Sequence, residues 1–115
     1  MHLVIGIPVK GRVDDLVGRV SAALDIRMEP HQSLYFGGDY WFCGQVGNEE
    51  LYLFENRDVL DGERFYDDKP PCRFILRVDR TDRDPDTVVE AVSSALGVTC
   101  HLFRQQAYPS KGMQP

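Results

Sequence analysis

The spacing of hydrophobic residues changes along this chain from strand-like alternation to a helical repeat and back. Residues 2–9 alternate between two sets of side chains, which predicts a first strand. Pro8 has no amide hydrogen to offer a neighbouring strand, so we expect this strand at a sheet edge. From about residue 12 to 25, apolar residues recur at helical spacing. This repeat predicts a helix, which the segment containing Pro30 ends.

The middle of the chain is rich in aromatic and strand-forming residues. The pair Gly37-Gly38 interrupts this stretch, either as a bulge in one long strand or as a kink before a second strand. The sequence "GNEE" predicts a hairpin turn. We expect two antiparallel strands around that turn, at about 39–45 and 50–56.

The C-terminal half predicts a strand, a helix and a last strand. In residues 73–79, Phe74, Leu76 and Val78 should face the core, and Arg73 and Arg77 should face outward. Asp84 is a good helix cap, Pro85 suits the first helical position, and Gly97 suits a left-handed C-terminal position. The segment "VTCHLF" then predicts the final strand.

These elements follow the order β-α-β-β-β-α-β, which predicts an α+β fold. Each helix has one apolar stripe to bury, so both helices should pack on one face of a sheet. We expect a mixed, mainly antiparallel sheet of 4–5 strands with a ferredoxin-like, split β-α-β arrangement. A chain of 115 residues is typical of one domain. We predict a single domain over 1–104 and a flexible C-terminal tail over 105–115.

The net charge of −5 disfavours nucleic acid and anionic membranes as partners. Cys43, Cys72 and Cys100 are widely spaced, which is typical of reduced thiols. The N-terminus lacks the basic segment and long apolar run of a secretory signal, and the apolar runs are too short to span a bilayer. These features predict a cytoplasmic protein.

No motif predicts an enzyme, a cofactor or a metal site. His31, His101 and the three cysteines lack zinc-ligand spacing, and the sequence has no Gly-x-Ser-x-Gly elbow or phosphate-binding loop. Carboxylate pairs such as Glu49-Glu50 lie beside predicted turns, where water solvates both members, whereas acid–base catalysis needs unequal environments. We therefore expect a non-catalytic protein; the remaining alternative is a small enzyme whose site no motif reveals.

The segment 49–68 contains eight acidic and two basic residues, a local net charge of −6, together with Phe65 and Tyr66. One interpretation is a solvated loop whose two rings fold back onto the sheet edge. The other is a binding loop, in which the rings anchor a protein partner and the carboxylates attract its basic surface. The predicted partner-binding residues are Asp58, Asp61, Glu63, Phe65, Tyr66, Asp67 and Asp68.

An alternative function depends on Tyr40 and Trp41, which point to opposite sides of one predicted strand. An exposed ring beside Gly37-Gly38 would line a groove for a small molecule. This alternative is a ferredoxin-like regulatory or ligand-binding domain that acts as a homodimer, with a pocket near Trp41.

Over residues 13–104 the order of elements resembles small bacterial immunity proteins of polymorphic-toxin and contact-dependent inhibition systems. The resemblance rests on a short N-terminal helix, a "GGDYW" strand, a hairpin return ending at Asn56, an acidic stretch and a late strand–helix–strand. It implies a protein, monomeric when free, that neutralises a cognate toxin domain by binding. A basic nuclease cleft is the kind of target that an acidic domain would block.

Overall fold

The computed structural model describes residues 1–36, 38–45 and 47–107. In these residues the chain forms six strands and two α-helices. Their order is β1 (His2–Ile7), α1 (Val13–Leu24), β2 (Glu29–Ser33), a short 3-10 turn (Leu34–Phe36), β3 (Gly38–Gly44), β4 (Glu50–Glu55), β5 (Phe74–Asp79), α2 (Pro85–Leu96) and β6 (His101–Gln106).

The strands form one antiparallel sheet in the order β2-β3-β4-β5-β1-β6. Strand β5 lies between β1 and β4, which gives the split β-α-β arrangement, and β2 and β3 extend the sheet beyond β4. The predicted α+β class is confirmed. The sheet is larger than the predicted 4–5 strands, and all its pairings are antiparallel.

Two strand predictions are corrected. β1 pairs with β5 and β6, so it is an interior strand, and Pro8 follows its last residue instead of lying within it. The segment containing Pro30 is strand β2 and not only a helix terminator. Pro30 is tolerated there because β2 pairs with β3 alone and lies at the sheet edge.

Strand β3 begins at Gly38, the second glycine of the pair that was expected to interrupt this stretch. The 3-10 turn separates β2 from β3. Gly38 has a φ of 111°, a backbone conformation that L side chains rarely adopt. Gly37 lies outside the described residues.

Both helices form close to their predicted bounds. At the start of α2, the Asp84 carboxylate accepts a hydrogen bond from the Thr87 amide at 3.0 Å, and Pro85 is the first helical residue. Gly97 ends the helix in the left-handed conformation with a φ of 68°. These features are the capping signals seen in the sequence.

The main core lies between the helices and one face of the sheet. It is built from alternate residues of the central strands and from the apolar stripes of α1 and α2. The buried residues of this core include Leu3, Ile5, Leu16, Val20, Leu53, Leu76, Val78, Val88 and Val92.

A second apolar cluster covers the opposite face of the sheet, which has no helix. Its buried members are Val4, Phe54 and Ile75. Half-buried aromatic rings pack around them, two of which belong to the connection between β4 and β5. The second face is therefore covered by rings and a loop.

β6 continues to Gln106, where it pairs with His2. The folded domain thus extends two residues past the predicted boundary at 104. Ala107 follows the strand, and residues 108–115 of the predicted tail lie outside the described residues.

Candidate functional site

The acidic loop, residues 57–72, connects β4 to β5 and is held in place by Asn56. This side chain is only 3% exposed. Its Nδ2 donates to the carbonyl oxygens of Tyr66 at 2.8 Å and Cys72 at 3.0 Å, and its Oδ1 accepts from the Tyr66 amide at 2.9 Å. One buried amide therefore satisfies three backbone groups of the loop and fixes its path.

Phe65 and Tyr66, predicted as partner anchors, pack against the second face of the sheet. Both are half-buried, and the Phe65 ring meets Phe54 edge-to-face with ring centres 5.8 Å apart. Part of their area therefore stabilises the fold, as in the interpretation in which the rings fold back. The rings thus secure the loop to the sheet, and their predicted role as partner anchors stays a prediction.

Asp68, another predicted contact residue, is bound to β6. Its carboxylate accepts from Arg104, and this hydrogen bond lowers the pKa of Asp68. The Arg104 guanidinium also lies 5.8 Å from the centre of the Tyr66 ring. Asp68 therefore ties the loop to the last strand.

The remaining predicted acids lie on the tip turn, residues 58–63, or just after it. Asp61, Glu63 and Asp67 are exposed, and Asp58 is partly exposed. The turn is closed by backbone hydrogen bonds from the Asp58 amide to the Glu63 carbonyl, at 2.7 Å, and from the Gly62 amide to the Asp58 carbonyl, at 2.8 Å. Within this turn Gly62 has a φ of 73°, a left-handed conformation that favours glycine.

Side chains reinforce the tip turn. The Asp58 carboxylate accepts from the Leu60 amide, and the Asp61 carboxylate accepts from the Glu63 amide, each at 2.9 Å. Arg57 donates through Nε to the Gly62 carbonyl at 3.3 Å. The tip is thus an ordered structure, not a solvated stretch without internal bonds.

This turn presents two aliphatic side chains to solvent, which the sequence analysis missed. Val59 is 62% exposed and Leu60 is 73% exposed. Val59 lies beside the start of β3, since its Cγ1 is 3.7 Å from the position of a Cβ built on Gly38. In the sequence, the only sign of this exposed pair was two adjacent apolar residues within the polar segment "DVLDGE".

The local charge of −6 counted along the sequence is divided between distant places in the fold. Glu49 lies at the far end of β4, where Arg83 binds it at 2.9 Å. Burial opposes its ionisation, but hydrogen bonds from Arg83 and Thr81 and the charge of Arg83 outweigh this and lower the pKa of Glu49. Only the acids near the tip form one negative surface.

Behind the tip lies a cleft of about 560 Å³, which we call the basic cleft. Four positive side chains face one carboxylate, Glu55, so its lining has a net charge of +3. The acidic loop supplies one wall, and the segments after β1 and before β5 supply the others. The lining residues are Pro8, Val9, Lys10, Glu55, Asn56, Arg57, Gly62, Arg64, Pro71, Cys72 and Arg73.

A smaller cleft of about 320 Å³ shares Glu55, Arg57 and Arg73 with the basic cleft. Its other charged lining residues are Arg12, Asp14 and Asp39. Three cations therefore face three carboxylates, and this cleft has no net charge.

The second face of the sheet also bears a strip of aromatic rings. Phe36 stacks on Tyr52 with ring centres 4.7 Å apart and contacts Tyr40 at 4.6 Å. The Arg77 guanidinium lies 5.4 Å from the centre of the Tyr52 ring. Burial, followed by the charge of Glu50, raises the pKa of Tyr52 to about 12.

At the edge of this strip, the Asp79 side chain is buried and hydrogen-bonded. Its carboxylate accepts three hydrogen bonds from Arg77, at 2.8, 3.0 and 3.1 Å, and is also bonded to His2 Nδ1. These contacts give both oxygens of a buried carboxylate hydrogen-bond partners. Sequence reasoning missed them because the three residues lie on two strands that only the fold brings together.

Trp41 lies on the other face, against the helix-side core, where its Nε1 donates to Asp14 at 3.2 Å. The two clefts described above are lined by other residues. Cys43, Cys72 and Cys100 are free thiols. Among the described residues, no group of three His, Cys, Asp or Glu side chains is arranged to hold a metal ion.

Within residues 1–36, 38–45 and 47–107, no helix has the length and hydrophobicity that crossing a membrane requires. No protein-family model, curated protein or solved structure matches this chain. The similarity to immunity proteins therefore stays a prediction.

Proposed function

We propose that this chain is a non-catalytic protein-binding module whose contact surface is the tip turn and the acids beside it. The observation that supports this most directly is the exposure of Val59 and Leu60 on a turn closed by its own hydrogen bonds. A pair of exposed aliphatic side chains on an ordered turn is typical of an interaction site.

The order of the turn lowers the cost of binding. Its backbone is fixed before a partner arrives, so little conformational entropy is lost on association. Burying the exposed parts of Val59 and Leu60 would contribute on the order of 4 kcal/mol. The apolar area of these two side chains is enough for the centre of a small contact surface, with polar residues around it.

The charges around the pair favour a basic partner. Asp61, Glu63 and Asp67 are exposed and close to the tip in sequence, and none forms an ion pair with another described residue. Such carboxylates attract a positive surface and accelerate association, while the apolar pair slows dissociation. We therefore retain Asp58, Asp61, Glu63 and Asp67 as contact residues and add Val59 and Leu60.

The resemblance to immunity proteins suggests the identity of the partner: a basic toxin domain that this chain neutralises in the cytoplasm. The three free thiols are consistent with a reducing compartment. In this role the module blocks its partner by occupying its surface and needs no catalytic group.

The proposal predicts that a toxin domain is encoded beside the gene of this chain, and the test uses that domain. Titration calorimetry should show binding by the native protein, and a Val59→Ser/Leu60→Ser double variant should bind about a hundredfold more weakly. A second variant, Asp61→Asn/Glu63→Gln/Asp67→Asn, should slow association most at low salt.

The matched control for the charge variant is Asp82→Asn/Asp86→Asn/Glu90→Gln, which removes the same charge from exposed positions on and just before α2. It should bind nearly as the native protein does. Equal affinity of the native protein and the Val59/Leu60 variant would refute the proposed surface. A stable homodimer in a mass measurement, with no toxin binding, would favour the ligand-binding alternative.

A further inference from the structure

The basic cleft concentrates positive charge in a chain whose net charge is −5. Lys10, Arg57, Arg64 and Arg73 come from three separate segments, so their neighbourhood is created by the fold and not by a basic run in the sequence. Like charges that converge in this way repel one another. An accumulation of this kind is favourable where an anion offsets it.

Within the lining of the basic cleft one carboxylate, Glu55, offsets part of this charge, and Arg57 and Arg73 also line the smaller cleft together with Asp14 and Asp39. Lys10 and Arg64 form neither a hydrogen bond nor an ion pair with any residue in the described part of the chain. The approach of Arg73 to Glu55 is 3.9 Å, beyond hydrogen-bond distance. Arg57 donates only its Nε, to the Gly62 carbonyl, and this leaves its two terminal nitrogens available.

The walls of the cleft suit a small molecule. Its volume of about 560 Å³ lies within the range of ligand sites, roughly 300–1,000 Å³. Pro8, Val9 and Pro71 add apolar surface beside the cations. Asn56 fixes the loop wall through its hydrogen bonds to Tyr66 and Cys72, so that wall is already formed.

We propose that the basic cleft is a binding site for a small molecule with at least two negative charges, carried by phosphate or carboxylate groups. Guanidinium groups recognise both through paired, charge-assisted hydrogen bonds. Arg64 and Arg73 hold the anionic groups, Lys10 adds a third positive contact, and the proline side chains contact the remainder of the ligand. This site adjoins the tip turn, with which it shares Gly62, but Val59 and Leu60 of the proposed docking surface are not among its lining residues.

Pyrophosphate and citrate, titrated separately by calorimetry at about 0.15 M salt, test the proposal and distinguish the two sources of charge. Saturable binding of pyrophosphate alone assigns a phosphate ligand, and binding of citrate alone assigns a carboxylate ligand. Binding of both assigns a site that selects by charge. Failure of both to bind saturably up to about 10 mM overturns the proposal.

Two single variants locate the site. Arg64→Gln and Arg73→Gln should each weaken binding about tenfold, since each removes charge-assisted contacts. The control is Arg19→Gln, an exposed cation on α1 outside the cleft lining, which should bind as the native protein does. An equal loss of anion affinity in Arg19→Gln would show that binding depends only on the overall charge of the protein, and it would refute the proposed site.

None of these variants changes Val59 or Leu60, so failure of the anion site and failure of the docking surface are distinguishable. Thermal unfolding without ligand checks that each variant is folded. With the assigned anion, the native protein should unfold at a higher temperature, and Arg64→Gln should show a smaller increase.

Discussion

Replacing Asn56 by alanine should release the acidic loop from the sheet and lower the stability of the whole domain. The side chain makes three hydrogen bonds to loop backbone, of 2.8, 2.9 and 3.0 Å, and is almost fully buried. Each such bond contributes about 1 kcal/mol net, and an unsatisfied buried carbonyl costs a similar amount or more. Because the Tyr66 backbone can reach water once the loop shifts, we expect a total loss of about 3 kcal/mol.

Urea unfolding followed by Trp41 fluorescence measures this loss, since Trp41 is the single tryptophan and packs on the core. Asn48→Ala is the matched control, because the Asn48 side chain is exposed and its Nδ2 donates a single long hydrogen bond, of 3.4 Å, to Gln45 Oε1. It should change the free energy of unfolding by less than about 0.5 kcal/mol. If Asn56→Ala changes the free energy of unfolding as little as this control does, Asn56 does not hold the loop.

Asn56→Asp separates hydrogen bonding from packing, because the two side chains have nearly the same shape. The variant keeps the acceptor for the Tyr66 amide, but it places a carboxylate against the carbonyl oxygens of Tyr66 and Cys72. Repulsion disfavours the ionised form in the folded state. The stability deficit should therefore shrink as the pH falls and the new carboxylate is protonated. A deficit independent of pH would contradict this account.

Three further predictions concern packing, pH and thiol chemistry. Phe65→Ala should cost about 2 kcal/mol in urea unfolding, because the ring packs on the second face of the sheet; an unchanged midpoint would contradict that role. Glu49→Gln should lower stability at pH 7 by up to about 1 kcal/mol, the partly exposed pair with Arg83 being lost. Since the pKa of Glu49 is lowered on folding, this difference should fade as the pH drops through that pKa. Burial raises the pKa of Cys72 to about 11, so a thiol reagent at pH 8 should label the partly exposed Cys43 first; faster labelling of Cys72 in the folded protein would contradict this order.

Elements governed by local signals were predictable from the sequence. The second helix has its cap, its first-turn proline and its terminal glycine within 14 residues, and the structure uses all three. Strand β2 was missed because "EPHQS" has no apolar alternation, and its only partner is β3. An edge strand that buries little side-chain area leaves no hydrophobic pattern to detect.

The candidate site was less predictable, because its geometry depends on contacts between distant segments. Phe65 and Tyr66 lie on the sheet because the second face has no helix to cover Val4, Phe54 and Ile75. No spacing within the loop contains that information. The basic cleft is equally nonlocal, since its cations come from segments that meet only after β1 and β5 have paired.

The fold also changes what the net charge means for binding. Along the sequence, residues 49–68 contain eight acids and two bases, yet β4 extends over six residues, about 20 Å, and separates Glu50 at one end from Glu55 at the other. Arg83 and Arg104 engage two further acids. What remains is a small negative tip with two aliphatic side chains, in front of a positive cleft. Since few charges act at the tip, salt should alter the rate of association with a basic partner more than the lifetime of the complex, which depends on apolar contact.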